Sequence, residues 1–158
     1  MTKWLTKNEL ASWLELAGVM LRLNPALDSQ LVRDSDLTHF GYLCLAMLSE
    51  RDDRTLMMST LAARTNASLS RLSHVVTKLE ARGYVERKPC EHSRRITMVR
   101  LTDEGYAALV AAAPGHVENV RALVYDGLST EDVEALRRIM RHIRLRLEGV
   151  DSVCDRPA

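Results

Sequence analysis

The sequence predicts a mainly α-helical chain with a small β-hairpin. Three observations predict it. Apolar residues recur at helical spacing along most of the 158 residues. Capping residues stand just ahead of several of these rows. After Gly83 the period changes, and residues 84–88 and 96–101 read as strands on either side of a polar connection, 89–95. Composition agrees with this class: 46% hydrophobic and 27% charged residues suit a globular chain with a sizeable core, and exclude disordered and collagen-like chains.

The elements follow in order. Thr6-Lys7-Asn8-Glu9 has the form of a capping box, so a first helix starts there, carries Leu10, Trp13, Leu14, Ala17, Met20 and Leu21, and is expected to end at Asn24-Pro25. A second helix begins near Thr38, with Gly41, Cys44, Met47 and Leu48 on one face. A short helix, 59–64, leads through the turn Thr65-Asn66-Ala67 to a longer one, which Ser68 caps and Gly83 terminates. In that helix Leu72, Val75, Val76 and Leu79 form one buried stripe. The hairpin follows. Thr102-Asp103-Glu104 then opens a helix that Pro114-Gly115 is expected to kink or interrupt. Leu128-Ser129 starts a last helix with a long apolar stripe from Val133 to Leu147, and the tail from Asp151 is expected to fray.

Charge is unevenly distributed. The net charge is only +1, yet residues 54–100 carry ten Lys or Arg against three Asp or Glu, a balance of +7, and each flank has a balance of −3. A basic middle between acidic flanks is the footprint of a site for a polyanion. The order helix, tight turn, helix, hairpin is a winged helix-turn-helix, whose second helix lies in the DNA major groove. The helix from Ser68 is suited to that place, because its outward residues are Ser70, Arg71, Ser73, His74, Thr77 and Lys78. Arg71 can hold a guanine edge with two hydrogen bonds, and the smaller polar groups reach bases or phosphates. Lys78 and Arg82 are expected at phosphate, as are Thr60 and the start of its short helix. The hairpin tip adds Arg94 and Arg95, flanked by Arg87, Lys88 and Arg100, and a narrow minor groove attracts an inserted arginine.

The run Val75-Val76-Thr77-Lys78-Leu79-Glu80-Ala81-Arg82-Gly83-Tyr84-Val85-Glu86-Arg87, with Leu61-Ala62 before it and Arg94-Arg95 and Leu101-Thr102-Asp103-Glu104-Gly105 after it, closely resembles the MarR family of bacterial transcriptional regulators. Leu37-Thr38 with Tyr42 matches the start of that family's second helix, and the resemblance spans roughly residues 6 to 148. It implies one domain over 1–158, with dimerisation helices at about 6–24 and 103–148 and a winged lobe at about 36–101. It also implies a homodimeric repressor gripping a pseudo-palindromic operator in double-stranded DNA. Arg95 would enter the minor groove. The family usually has an acidic residue two positions earlier to pair with that arginine; this chain has Ser93, so Arg94 and Arg95 are joint candidates. The resemblance suggests a small-molecule effector pocket where the dimerisation helices meet the lobe, with Trp13, His39 and Tyr42 as candidate lining.

A dimer is also expected from the residues, since the terminal helices carry more apolar surface than one lobe can cover. Rival readings are a redox-responsive regulator of the same fold, with Cys90 beside Lys88 as the sensing thiol, and a winged helix used only for protein contacts. An enzyme is not expected: the chain has no G-x-S-x-G, no phosphate-cradling loop and only seven glycines. The five histidines are dispersed, so neither a metal nor another cofactor is expected. No apolar run reaches membrane-spanning length. The N-terminal stretch, broken by Lys7 and Glu9, lacks the apolar core of a secretory signal, and Cys44, Cys90 and Cys154 are odd in number and scattered. A cytoplasmic location is the expectation.

Overall fold

The computed structural model describes residues 1–90 and 93–154, and the side chains of these except Arg94 and residues 149–154. The described chain divides into two compact units, Met1–Asn119 and a second that begins at Val120.

In the first unit, α1 spans Lys7–Ser35. The expected capping box is present: the Thr6 hydroxyl accepts from Glu9 N–H at 3.3 Å, and the Glu9 carboxylate accepts from Thr6 N–H at 2.7 Å. The helix does not end at Asn24-Pro25 but passes through Pro25 for ten more residues. Proline removes one backbone donor, which is a local cost. Beyond it Leu27 and Leu31 are buried, and that burial favours continuation. The stop is Asp36, left-handed at φ 52°, whose N–H donates to Val32 O at 3.0 Å. Aspartate is one of the few residues other than glycine that visit this conformation.

Helix α2 spans His39–Ser49, with the Thr38 hydroxyl accepting from Gly41 N–H at 3.0 Å. It buries Cys44, Leu45 and Leu48. A three-residue strand, β1 (Thr55–Met57), follows; the sequence reading had no strand there. Three residues are too few for alternation to show, and the strand exists because its edge is paired in the tertiary structure. Helices α3 (Met58–Arg64) and α4 (Leu69–Ala81) form the helix-turn-helix, with Asn66 left-handed in the turn at φ 51°. Ser68 caps α4, its Oγ accepting from Arg71 N–H at 3.2 Å, and Gly83 turns the chain away at φ 73°. Leu72, Val76 and Leu79 are buried as the stripe predicts.

Strands β2 (Val85–Cys90) and β3 (Ser93–Leu101) form the hairpin, which is longer than expected, with ladder pairs from Val85↔Leu101 out to Cys90↔Ser93. Pro89 and Cys90, and the polar and basic residues 93–95, therefore belong to strands rather than to the connection. Exposed two-stranded ribbons accept such residues, because only one face meets a core. The sheet is antiparallel in the order β1-β3-β2, so the fold has a small three-stranded sheet in place of the hairpin alone. Helix α5 spans Asp103–Val120 and is not interrupted at Pro114. Leu109 and Ala112 anchor it in the core on the near side of the proline. The irregularity comes later, in a π-helical turn at Arg121–Tyr125.

In the second unit that turn leads to α6, Thr130–Cys154. Ser129 and Asp132 cap it reciprocally: Ser129 Oγ accepts from Asp132 N–H at 3.1 Å, and the Asp132 carboxylate accepts from Ser129 N–H at 3.1 Å. The helix continues past the expected fraying point at Asp151; residues 155–158 lie outside the described residues. Among the described residues no helix is long and apolar enough to cross a membrane.

Candidate nucleic-acid interface

One face of α4 is buried by Leu72, Val76 and Leu79, so its opposite face must be presented outward. Ser70, Arg71, Ser73, His74, Thr77 and Lys78 are all exposed there. Thr60, on α3, is half-buried, and Ser68 is exposed with its hydroxyl engaged in the cap. Arg71 lies over the Phe40 ring, with its guanidinium carbon 4.4 Å from the ring centroid. The stacked face is occupied, while the edge of the guanidinium, which carries the donors, can still point outward. Lys78 has no ion-pair partner among the described residues.

Four cations of the basic middle, Arg82, Arg87, Lys88 and Arg100, are already paired within the chain. Arg82 does not extend toward a phosphate. It turns back to pair with the Asp36 carboxylate at 3.3 Å, donates to Asp36 O, and donates to the Tyr84 hydroxyl at 3.1 Å. Lys88 and Arg100 share the Glu86 carboxylate, at 2.7 and 3.2 Å. The Lys88 hydrogen bond is the largest cause holding Glu86 below the usual carboxylate range. Side-chain pairing of this kind cannot be read from a linear charge count.

Arg87 was expected to flank the wing tip, but it faces α4. Its Nη1 donates to Glu80 Oε2 at 2.8 Å, and its backbone N–H donates to Glu80 Oε1 at 3.0 Å. Its Nη2 donates to Ser73 O at 2.8 Å, to Thr77 Oγ1 at 3.0 Å and, at 3.3 Å, to Ser73 Oγ. The Ser73 and Thr77 hydroxyls are thus exposed yet already engaged. At the wing, Arg95 is exposed on β3, and the Ser93 hydroxyl accepts from Arg95 N–H at 3.4 Å. Arg94 lies in the same strand, with its side chain outside the described residues.

The effector candidates separate. His39 and Tyr42, on α2, meet His116 of α5, with ring centroids 5.5 and 4.4 Å from it. Trp13 is not with them. His39 Nδ1 lies 2.9 Å from Asn24 Oδ1, and Trp13 is eleven residues earlier on the same helix, about 16 Å along its axis. His39 N–H donates to Asp28 Oδ1 at 2.8 Å. Two buried polar atoms near this junction, Gln30 Oε1 and His116 Nδ1, have no hydrogen-bond partner among the described residues. His116, Asn24 and Asp28 were missed in the sequence because nothing local links them to His39.

Burial pushes the His39 imidazole below its usual range, partly offset by Asp28; burial and then the charge of His39 push His116 down as well. Both rings are therefore held neutral in the fold more strongly than in the unfolded chain. Their contribution to stability is fully present above the unfolded value of about 6.5 and is lost as pH falls below it through the depressed folded values. Urea unfolding midpoints should fall between pH 7.5 and pH 5.5, and His39→Gln/His116→Gln should remove about half or more of that decline. An unchanged decline in the double variant would refute this assignment. Of the cysteines, Cys44 is buried and its thiol is pushed up to about 12, so it is not a reactive thiolate; Cys90 is half-buried.

A helix-turn-helix with an exposed polar second helix, followed by an antiparallel wing, defines a winged helix-turn-helix protein. The MarR family profile matches residues 36–96. Sco3205 of Streptomyces coelicolor, a MarR family transcriptional regulator solved in complex with DNA, is 40% identical, over 91% of this chain and 90% of its own, with a TM-score of 0.88. AbsC, a MarR family transcriptional regulator from the same organism, is 36% identical over 94% of this chain and 99% of its own, also with a TM-score of 0.88. The transcriptional repressor MprA of Escherichia coli is 24% identical over 70% of this chain; the match spans 62% of MprA's length. These relatives are transcriptional regulators, not enzymes. The chain belongs to the MarR family.

Proposed function

We propose that this protein is a sequence-specific, DNA-binding transcriptional regulator that acts as a homodimer on a pseudo-palindromic operator. The observation that carries the reading is the outward polar row of α4 beside the arginine-bearing wing. Arg71 and His74 are the candidates for the major groove, Lys78 for phosphate, and Arg94 and Arg95 for the minor groove. The DNA complex of Sco3205 supports the partner, and the repressor MprA supports the direction of regulation.

Homodimerisation is supported by apolar surface left uncovered on the single chain. On α1, Leu10, Trp13, Leu14, Met20 and Leu21 are exposed, and on α6, Leu147 is 60% exposed. A monomer rarely leaves so much apolar surface in water. A two-fold dimer would set the two α4 helices one DNA turn apart, about 34–36 Å. In this reading α1, α5 and α6 dimerise, and the lobe from about 36 to 101 holds DNA. An effector acting at the His39, Tyr42 and His116 junction would release the operator; the unpartnered Gln30 and His116 atoms favour a polar ligand with at least one hydrogen-bond donor.

Selection of bound duplexes from a random pool tests the proposal. The expected product is an inverted repeat with half-site centres one turn apart. Its affinity should fall steeply with salt, since each phosphate contact releases counterions. A pool with no enrichment, or binding insensitive to salt, would overturn it.

A further inference from the structure

We propose that Arg87 is a positioning residue for base recognition: it fixes the roll of α4 against the wing and so decides which side chains of α4 read the DNA. The inference rests on the DNA-binding reading above.

Ser73, Thr77 and Glu80 are spaced i, i+4, i+7, so they form one stripe along α4. Arg87 grips that whole stripe from β2. One arm of the fork and the backbone N–H of the same residue hold both oxygens of Glu80. The other arm holds Ser73 O and the Thr77 hydroxyl. The Thr77 proton is itself spent on Ser73 O, at 2.9 Å. Rotation of α4 about its axis would break several of these bonds together. A planar, multidentate guanidinium can impose such a constraint; an ammonium, with its point charge, cannot.

The consequence is a division of labour on α4. Ser73 and Thr77 were expected to reach bases or phosphates, but both hydroxyl oxygens accept from Arg87. Ser70, Arg71, His74 and Lys78, at i, i+1, i+4 and i+8, form the adjacent row that carries no such tether to β2. Glu80 neutralises Arg87, so the clamp adds little to the long-range attraction of DNA. Its contribution should therefore appear in sequence preference and not in salt dependence.

The test uses the full-length chain with Arg87→Lys and Glu80→Gln. Each variant is titrated with the selected operator and with a random duplex at several salt concentrations, and its thermal midpoint is measured. Expected for Arg87→Lys is an operator affinity lower by about tenfold, random-duplex affinity within about twofold of the parent, and an unchanged salt slope. Glu80→Gln should lower the same operator-to-random ratio by a smaller factor, and it decides the question if the first variant does not fold. Operator and random affinities falling together, with a slope reduced by about one phosphate, would make Arg87 a DNA contact and overturn the proposal. An unchanged ratio in the folded variants would overturn it too. A parent protein that does not discriminate operator from random duplex would overturn the DNA-binding reading itself, and the role of Arg87 with it.

Discussion

Gly105→Ala is expected to destabilise the fold by about 2–4 kcal/mol, although alanine is the better helix former by about 1 kcal/mol. Gly105 lies in the first turn of α5, pressed against the loop that leaves α4. A Cβ built there would stand 2.0 Å from Tyr84 O and 2.8 Å from Leu101 Cδ1. The first of these neighbours is backbone, so no side chain can move aside. That same Tyr84 O accepts from Thr102 N–H at 3.1 Å, and the Thr102 hydroxyl donates to Gly83 O at 2.6 Å while accepting from Gly105 N–H at 3.0 Å. Relief of the clash must loosen these bonds or lift α5 off β2. Denaturant unfolding checks the sign: intrinsic helix propensity alone would raise the midpoint, and the packing argument requires it to fall. A midpoint equal to or above that of the parent would contradict the argument.

Arg71→Ala is expected to weaken operator binding by about 1–3 kcal/mol and to relax base preference at one position of each half-site. Arg71 is exposed in the first turns of α4, and its guanidinium already rests on Phe40. That contact restricts the side chain before DNA arrives, so less rotamer entropy is lost on binding. Phe40 is on α2, outside the helix-turn-helix proper, so part of the reader's orientation comes from a neighbouring element. Selection repeated with the variant should give a site of the same spacing with one degenerate pair. A profile identical to the parent's, at equal affinity, would remove Arg71 from the set of readers.

Local chemistry was legible where it is complete within a few residues. The Thr6 and Ser68 caps, the turn at Asn66, the stop at Gly83 and the buried stripe of α4 are all of this kind. The polar row of α4 follows from the same stripe by geometry. Features that depend on distant partners were not legible. Pro25 looked like a stop because the burial of Leu27 and Leu31 was invisible, and β1 has meaning only beside β3. In the site, Arg82 and Arg87 read as cations for DNA because Asp36 lies far from Arg82 in the sequence, and Glu80 meets Arg87 only once the chain has turned from α4 into β2. Charge counting overstated how many positive groups of residues 54–100 are uncommitted.

The pairing of β1 extends only to Met57↔Met98, while β2 and β3 keep one register out to Pro89↔Thr97 and shift it before the outermost pair, Cys90↔Ser93. The root of the wing is thus braced on both edges of β3, and from Thr97 outward the ribbon has a single neighbour. A ribbon built this way bends and twists more easily at its outer end than at its base. Arg95 rides on the compliant portion, like the fingertip of a hand whose knuckles are splinted. In the DNA-bound state proposed above, it would adjust to the contour of a groove without disturbing the seating of the helix beside it.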